Sequence, residues 1–337
     1  MGLQIGEIVP RKEVSFSELK GKIVAVDAFN AIYQFLSSIR QPDGIPLMDN
    51  KRRVTSHLSG LFYRNIALLS EGIKLVYVFD GEYNVLKNKT KEMRQAAKDK
   101  ARENFKTALE EEDIESMGKY SKGFTTLTKE VIEESKQLLE AMGIAIVQAP
   151  GEGEMQCAQI VKDGEAWAVA SQDYDALVVG GKRLIQNLTL ARKRKTVSGE
   201  IYISPEIIEY NDVLNNLGVD SDQLISLAVL VGTDFNPGGV RGIGPKKALN
   251  LVKEKKYPVN IFSELGEQGK LDFNWQEVFQ IFKKPNVERI KLKFPKLDEE
   301  RVKEILVNEH DFSLERVEKQ LLKLKDIKSK SEQKTLF

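Results

Sequence analysis

The sequence predicts an α/β fold with a mainly parallel central sheet that is covered by helices on both faces. Short apolar runs of strand length alternate with segments of helical period along most of the chain. Many of these runs are continuously apolar, which is typical of parallel strands that are buried on both faces. A hydrophobic content of 41% in 337 residues is ample for a sizeable core.

The individual elements follow in chain order from the same two patterns. Apolar runs such as Ile23–Val26 and Leu75–Phe79 have the length of strands. The predicted strands are 23–27, 75–80, 144–148, 166–171, 176–180, 183–187 and 200–203. Segments in which apolar residues recur every three or four positions have the period of helices. The predicted helices include 29–38, 56–70, 129–142, 153–162 and 221–232.

Seven carboxylates follow the apolar runs, at the points where those runs end. They are Asp27, Asp80, Glu152, Glu154, Asp173, Asp175 and Asp234. Because ligands of open parallel sheets bind beyond the carboxyl ends of the strands, we expect these acids to gather at one edge. Like charges resist gathering unless a strong counter-charge is present. A ligand set of oxygens, without histidine or thiol, favours Mg²⁺ or Mn²⁺ over zinc.

Basic residues are segregated from these acids, although the net charge is only +1. An insertion from about 82 to 128 is charged, and the sequence predicts helix there without strands. Its basic face comprises Lys87, Lys91, Arg94, Lys98 and Arg102, spaced by three and four positions. A solvated helical insertion has the same pattern, but a long insertion directly after a metal-site strand is more often functional. The segregation suits a protein that holds cations against a polyanion.

A glycine-rich motif, Gly238–Ala248, leads into a further predicted helix. Its glycines permit close backbone approach, and Pro245 suits the first turn of a helix. Free N–H groups there, with Lys246 and Lys247 beside them, are suited to an anion. The turn lacks the Gly-Lys-Ser/Thr ending of a nucleotide P-loop, and no strand precedes it. A DNA backbone phosphate is therefore the better candidate ligand.

Other features restrict the compartment and the chemistry. Cys157 is the only cysteine, so no intramolecular disulfide forms and a reducing compartment is expected. The chain has no apolar run of membrane-spanning length and no signal-peptide pattern, so we expect a soluble intracellular protein. His57 and His310 are the only histidines, and both are far from the acids in sequence. A histidine base or a histidine-rich zinc site is not expected, and His57 is expected to be a packed or capping residue.

Motifs along nearly the whole chain resemble those of the flap endonucleases, the structure-specific 5′ nucleases of replication and repair, and most closely the archaeal members. The matching segments are Met1–Gln4, Val26–Ala28, Ile32–Leu36, Thr55–Leu58, Tyr77–Gly81, Ala149–Glu154, Ser171–Asp175, Gly232–Asp234 and Arg241–Lys246. The resemblance implies a PIN-like 5′-nuclease fold with a helical arch and a helix–two-turn–helix. It also implies Mg²⁺-dependent cleavage of DNA near the base of a single-stranded 5′ flap, together with 5′ exonuclease activity.

The resemblance further implies what individual residues do. All seven acids match ligands of a two-metal site, which would hold two Mg²⁺ ions or Mn²⁺ in their place. Lys87 and Arg94 match the basic pair at the base of the arch that contacts the scissile phosphate, and Tyr33 matches an aromatic that stacks on a base near the cut. Gly242, Gly244, Lys246 and Lys247 lie in the turn that holds duplex backbone.

Three other expectations rest on the same resemblance. A K⁺ ion at the glycine-rich turn would rely on the carbonyls of Gly239 and Val240, because Gly239 stands where relatives can carry a hydroxyl side chain. Thr55 and Arg316 match the pocket for a one-nucleotide 3′ flap, in which His310 stands where relatives can have lysine. The tail residues match a portion of the box that binds the sliding clamp, proliferating cell nuclear antigen. These residues are Gln333, Leu336 and Phe337.

The expected organisation is a single nuclease domain followed by a short tail. The domain would span residues 1–327, with an N-terminal region of residues 1–105, an internal region of residues 120–260, C-terminal helices in 261–327 and the arch at about 82–128. The polar tail should be disordered from about Lys325, and 328–337 would be flexible. The expected protein is a monomer that binds flap or branched DNA, in the archaeal cytoplasm at the nucleoid or in a eukaryotic nucleus. Two alternatives stay open: a PIN-like ribonuclease, and a non-catalytic DNA scaffold tethered to the clamp.

Overall fold

A computed structural model describes residues 2–41, 43–111, 113–189, 193–196 and 199–333, without the side chains of 114, 115, 117, 124, 193–196, 199–201 and 328–333. The strands are β1 Lys12–Glu13, β2 Ile23–Asp27, β3 Lys74–Phe79, β4 Ala145–Gln148, β5 Ala168–Ala170, β6 Arg183–Gln186, β7 Lys193–Thr196, β8 Gly199–Tyr202 and β9 Glu206–Glu209. The helices are α1 Ala28–Ser38, α2 Ser56–Ser59, α3 Asn65–Ser70, α4 Asn88–Glu110, α5 Ile114–Ser121, α6 Lys129–Ala141, α7 Gly153–Lys162, α8 Asp175–Val178, α9 Tyr210–Leu217, α10 Ser221–Val231, α11 Pro245–Lys255, α12 Pro258–Glu267, α13 Trp275–Lys283, α14 Glu299–Lys303 and α15 Leu314–Gln333. A π-helical turn, Gly60–Arg64, joins α2 to α3, and a second, Glu304–Glu309, follows α14.

Seven strands form one sheet in the order β1-β9-β6-β5-β2-β3-β4. The five strands from β6 to β4 are parallel, and β9 and β1 add an antiparallel edge. The chain runs outward from β2 to β3 and β4, then returns to the other side of β2 for β5 and β6. This reversal makes a topological switch point between β2 and β5, the usual ligand site of such sheets. The predicted α/β fold with a mainly parallel sheet is confirmed.

Helices cover both faces of this sheet. Successive residues of a strand point to opposite faces, so Ala25 enters one hydrophobic core while Val24 and Val26 enter the other. Helices α7 to α13 contribute to the first core, and α1 to α3, α6, α14 and α15 contribute to the second. Because the central strands are buried on both sides, their sequences are continuous apolar runs rather than alternating ones.

One predicted strand is wrong and another lies outside the main sheet. Residues 176–180 were expected to be extended, but Asp175–Val178 is a helical turn in which the N–H groups of Leu177 and Val178 donate to the Tyr174 carbonyl. A short run that is buried on every side has no period to distinguish a strand from a helix. The predicted strand 200–203 corresponds to β8, which pairs only with β7 in a separate two-stranded sheet.

The insertion between β3 and α6 is helical, as its sequence predicts. The long helix α4 packs against α5, and the described residues from 82 to 128 contain no strand. The C-terminal end of the insertion is held to the segment after α1, because the Arg40 guanidinium donates to Thr125 Oγ1 at 2.6 Å. None of the described helices has the length and apolar character that a membrane span requires.

The tail differs from its prediction. Helix α15 continues as far as Gln333, so the prediction of disorder from Lys325 is wrong for that stretch. Leu321 and Leu324 are buried and anchor the helix, and the Lys, Glu and Gln residues that follow have high helix propensity. Leu336 and Phe337 lie outside the described residues.

Candidate active site

The seven carboxylates lie together where the parallel strands end. Asp27 ends β2, Asp80 follows β3, and Glu152 and Glu154 begin α7 after β4. Asp173 lies between β5 and α8, Asp175 is the first residue of α8, and Asp234 follows α10. Asp27 and the Asp173–Asp175 pair flank the switch point between β2 and β5, which explains why they meet. Asp234 departs from the expected pattern, because it follows a helix and reaches the other acids from the loop after α10.

An inner group of three acids has the closest approach. One oxygen from each of Glu154, Asp173 and Asp175 lies within 4.8 Å of the others. Asp175 Oδ1 is buried and has no hydrogen-bond partner among the described residues. A buried carboxylate oxygen without a partner is costly, and a bound cation would supply the missing interaction. These oxygens therefore fit a hard divalent ion.

Burial and mutual repulsion oppose ionisation of these acids. Burial raises the pKa of Asp27 to about 7, and the Asp80 carboxylate adds to this effect. Burial raises the pKa of Asp80 to about 6, with Glu152 as the next cause. Burial and neighbouring carboxylates raise the pKa of Glu154 and of Asp175 well above their ordinary values. A cation that binds here would relieve a large part of this electrostatic cost.

Local hydrogen bonds fix several of the carboxylates. Asp27 caps α1 by accepting the Asn30 N–H at 3.1 Å, and it also accepts the Ser171 hydroxyl at 3.3 Å. Asp80 Oδ1 accepts the Gly153 N–H at 2.7 Å. A Cβ at Gly153 would lie 2.6 Å from this oxygen, so a glycine is needed for α7 to come this close.

The N-terminal segment also reaches the site, which reasoning from the residues did not anticipate. A Cβ at Gly2 would lie 1.4 Å from Asp173 Oδ2, so no larger residue fits there without displacing this carboxylate. In the sequence, Gly2 is noticeable only because it belongs to Met1–Gln4, a segment that resembles the family. No pattern of residues indicates that it contacts Asp173. The contacts of Gly153 with Asp80 and of Ser171 with Asp27 also could not be predicted, because they depend on how α7 and β5 pack.

Two cations at the start of α4 face the acids. Lys87 forms an ion pair with Glu152, and its Nζ lies 3.9 Å from Asp234 Oδ2. Arg94 places one guanidinium nitrogen 2.8 Å and 2.7 Å from the two Asp234 carboxylate oxygens. Burial alone would lower the pKa of Lys87, but the nearby Glu152 and Asp234 carboxylates outweigh burial. The pKa is therefore raised above its ordinary value, and the ammonium stays charged. The start of α4 therefore supplies positive charge at the edge of the acidic cluster.

The other candidate residues belong to other parts of the fold. Tyr33 is 38% exposed on α1, Thr55 is buried directly before α2, and Arg316 is exposed on α15. Gln333 is the last residue of α15. Tyr33, Thr55 and Arg316 therefore come from α1, the start of α2 and α15, and not from the strand ends that carry most of the acids.

The glycine-rich turn joins α10 to α11. Gly244 precedes Pro245 at the start of α11, and Gly242 has a φ of +80°. Lys247 Nζ donates to the Gly242 carbonyl at 3.3 Å, and Lys246 Nζ lies 3.6 Å from Glu7. At Gly239, φ is +55° and a Cβ would lie 2.3 Å from the Leu230 carbonyl oxygen. A side chain at this position would collide with α10, which accounts for the glycine.

Both histidines are buried around one glutamate, far from the acidic cluster in sequence. His57 Nε2 lies 3.0 Å and His310 Nε2 lies 3.4 Å from the two carboxylate oxygens of Glu134. His310 Nδ1 lies 3.2 Å from Asp49. Burial lowers the pKa of His57. His57 is packed, as its sequence context predicts, and the pair links α2 and α6 to the segment after α14.

The raised pKa values predict how the metal-free protein responds to pH. Asp27 and Asp80 retain protons in the folded state up to about pH 7 and about pH 6, whereas the unfolded chain releases them near pH 4. Stability should therefore fall as the pH rises from about 4 to about 7, and the loss should be complete above that range. We expect the Tm in EDTA to be lower at about pH 8 than at about pH 5.5, and Mg²⁺ to raise it more at the higher pH.

The control for this prediction is Asp27→Asn, which keeps a capping side chain but removes one titrating group. His57 acts in the opposite direction, because its lowered pKa costs stability as the pH falls below about 6.5. The informative quantity is thus the difference in Tm between wild type and Asp27→Asn, measured in EDTA across the pH range. Parallel Tm profiles for the two proteins in EDTA would contradict the prediction.

Comparison with known proteins gives consistent matches. The XPG N-terminal domain matches residues 3–101, and the XPG I-region matches residues 143–234. Flap endonuclease 1 of Pyrococcus abyssi is 49% identical over 339 residues, covering 100% of this chain and 97% of the relative. Flap endonuclease 1 of Aeropyrum pernix is 46% identical over 331 residues, covering 96% of this chain and 94% of the relative.

Solved structures give the same result for the fold. Flap endonuclease-1 from Methanococcus jannaschii superimposes with a TM-score of 0.77 at 42% identity, covering 98% of this chain and 100% of that one. The catalytic core of Rad2 in complex with a DNA substrate superimposes with a TM-score of 0.69, covering 95% of this chain and 97% of that one. At 23% identity, the second match concerns the fold alone.

Proposed function

This chain belongs to the flap endonuclease family of structure-specific nucleases, and we propose that its seven carboxylates hold two Mg²⁺ ions for hydrolysis of DNA at the base of a 5′ flap. Cleavage near the junction of single-stranded and duplex DNA leaves a 5′-phosphate and a nick that a ligase can seal. The same site would remove nucleotides from a 5′ end as an exonuclease. Mn²⁺ has the same preference for oxygen ligands and would substitute for Mg²⁺.

The observation that carries this proposal is the convergence of the acids at the switch point of the sheet. Glu154, Asp173 and Asp175 approach within 4.8 Å of one another, and Asp175 Oδ1 is buried without a partner among the described residues. An uncompensated group of buried acids would be strongly destabilising. Bound divalent ions would neutralise these acids and make the arrangement stable. Two adjacent divalent ions support phosphodiester hydrolysis.

The residues divide the chemical work between the acids and the start of the arch. The chemistry that bound Mg²⁺ supplies is activation of a water and neutralisation of charge on the attacking and leaving oxygens. Lys87 and Arg94 leave their carboxylate partners to hold the scissile phosphate and stabilise the charge that develops on it. Residues 82–128 form the arch that orders around the single-stranded flap.

The DNA contacts lie on either side of this site. Tyr33, on α1, presents its ring to a base near the cut. The turn between α10 and α11 holds duplex backbone through Gly242, Gly244, Lys246 and Lys247. A K⁺ ion there would use the carbonyls of Gly239 and Val240, and Thr55 with Arg316 would receive a one-nucleotide 3′ flap.

The remaining proposals concern organisation and partners. Residues 1–327 form one nuclease domain that acts as a monomer in the compartment that holds the DNA, the cytoplasm of an archaeal cell. The tail that includes Gln333, Leu336 and Phe337 binds the sliding clamp.

Cleavage-site mapping on a double-flap DNA tests the proposal. In Mg²⁺ we expect one dominant incision near the base of the 5′ flap, and in EDTA no incision. Absence of incision in Mg²⁺, or cuts scattered along the duplex, would contradict the assigned activity.

The same assay separates the two alternatives. A PIN-like ribonuclease would use similar acids but would prefer single-stranded RNA, and it has no need of the arch or the duplex-gripping turn. A clamp-tethered scaffold would bind flap DNA and leave it intact with every divalent cation. The presence of both α4–α5 and the glycine-rich turn favours flap DNA over RNA.

A further inference from the structure

Thr90 is an unusual residue of the arch helix. Among the described side chains of α4, only Thr90 and Ala108 are buried, and Thr90 is 4% exposed. Its hydroxyl donates to the main-chain carbonyl of Asp234 at 2.6 Å. The hydroxyl thus contacts the backbone of a proposed metal ligand and leaves the carboxylate of that ligand free for other partners.

Helical spacing makes Thr90 part of a three-point grip on Asp234. Lys87, Thr90 and Arg94 are separated by three and four positions, so they lie on one side at the start of α4. Lys87 and Arg94 approach the Asp234 carboxylate, while Thr90 binds its carbonyl. One face of α4 therefore contacts both the side-chain carboxylate and the main-chain carbonyl of Asp234.

The loop that carries Asp234 is anchored on its opposite side as well. Asn236 accepts the N–H and hydroxyl of Thr233, and its amide donates to the Val229 carbonyl at 2.7 Å. These bonds tie the loop to α10, whereas the Thr90 hydroxyl ties it to α4. Loss of the second bond would let the loop, and with it the carboxylate, shift relative to the acids on the sheet.

We propose that Thr90 is a positioning residue for flap cleavage, which holds the Asp234 backbone against α4 and so aligns its carboxylate with the other acids. The same bond sets the position of Lys87 and Arg94 over the site. The inference rests on the proposed metal-dependent cleavage, because alignment matters only if Asp234 serves the metal centre. Residues that orient a metal ligand can change metal affinity or activity by about 10- to 100-fold when they are replaced.

The test compares Thr90→Val, which keeps the shape and removes the hydroxyl, with Thr90→Ser, which keeps the hydroxyl. For Thr90→Val we expect a single-turnover rate reduced about 10- to 100-fold and a higher Mg²⁺ concentration at half-maximal rate. Flap-DNA affinity measured in EDTA should stay within about twofold, because the Thr90 hydroxyl donates to protein backbone and the proposed duplex contacts lie on other elements. Thr90→Ser should restore most of the rate and the Mg²⁺ dependence.

A second readout does not depend on cleavage. Without the hydroxyl bond, amide hydrogen exchange should become faster in the first turn of α4 and in residues 233–236. The control is Ser70→Ala on α3, outside the arch, where an exposed hydroxyl donates to the Ile66 carbonyl of the same helix. It should leave the rate, the Mg²⁺ dependence and the exchange of residues 233–236 unchanged.

The possible results separate this inference from the proposed function. If Thr90→Val lowers the Tm but keeps the wild-type rate and Mg²⁺ dependence, Thr90 is merely structural and the inference is wrong. If wild type itself leaves flap DNA uncut in Mg²⁺, the proposed function fails, while hydrogen exchange still tests the bond. If Thr90→Val does not fold, the comparison of Thr90→Ala with Thr90→Ser decides by the same measurements.

Discussion

Asp175→Asn should reduce the single-turnover rate of flap cleavage in Mg²⁺ by about 10³-fold or more. Asp175 contributes to the closest group of oxygens, and its buried Oδ1 has no partner among the described residues. Asparagine has nearly the same shape but offers a neutral oxygen, so the metal centre loses one negative ligand. A loss of about 4 kcal/mol in transition-state stabilisation corresponds to about 10³ in rate.

Binding of flap DNA by this variant should survive, since the proposed backbone contacts lie on other elements. A filter-binding or fluorescence assay in EDTA measures the affinity, and a quenched-flow or manual time course in Mg²⁺ measures the rate. Asp212→Asn is the matched control, because it removes the same charge from an exposed side chain that pairs with Lys12. If Asp175→Asn cleaves like wild type, the acids do not form the metal centre.

Lys87→Ala should lower the single-turnover rate by about 10²- to 10³-fold with a modest loss of DNA affinity. Its partly buried ammonium lies between Glu152 and Asp234, at the start of α4 and at the edge of the acidic cluster. Removal of a charged donor that acts on the transition state costs rate far more than ground-state binding. The measurement is the rate at saturating enzyme together with the Kd for the same flap DNA.

Lys89→Ala is the control for the Lys87 prediction. It removes the same charge two positions away, where an exposed ammonium lies 3.4 Å from Asp272. We expect a rate close to wild type, and a similarly small change in salt-dependent affinity for both variants. If Lys87→Ala keeps the wild-type rate, or loses no more rate than Lys89→Ala, Lys87 does not act on the scissile phosphate.

The sequence predicts the fold well because buried parallel strands leave a strong pattern. Runs such as Ile23–Val26 and Leu75–Phe79 are apolar on both faces, and their lengths and flanking helices leave few alternatives. The pattern fails at 176–180, where an equally apolar run is too short to show a helical period. It also fails at the C-terminus, where a polar composition suggests disorder but buried Leu321 and Leu324 hold the helix in place.

The candidate site is predictable only to a limited extent. The acids are visible because each follows an apolar run, and the edge of the sheet brings them together. The contacts of Gly2, Thr90 and Gly153 are not visible, because they depend on how separate segments pack. A threonine in a charged helix has no pattern that shows its hydroxyl will point inward. Its role follows from the geometry of α4 against the loop after α10.

The order of the acids along the chain has a consequence for synthesis on the ribosome. The first proposed ligand, Asp27, is made early, whereas the last, Asp234, lies in the loop that leads directly into the glycine-rich turn. Domains fold as their segments emerge, so the centre stays incomplete until that loop is available. A nascent or prematurely terminated chain therefore lacks the last of the seven acids until synthesis has reached the segment that immediately precedes the glycine-rich turn.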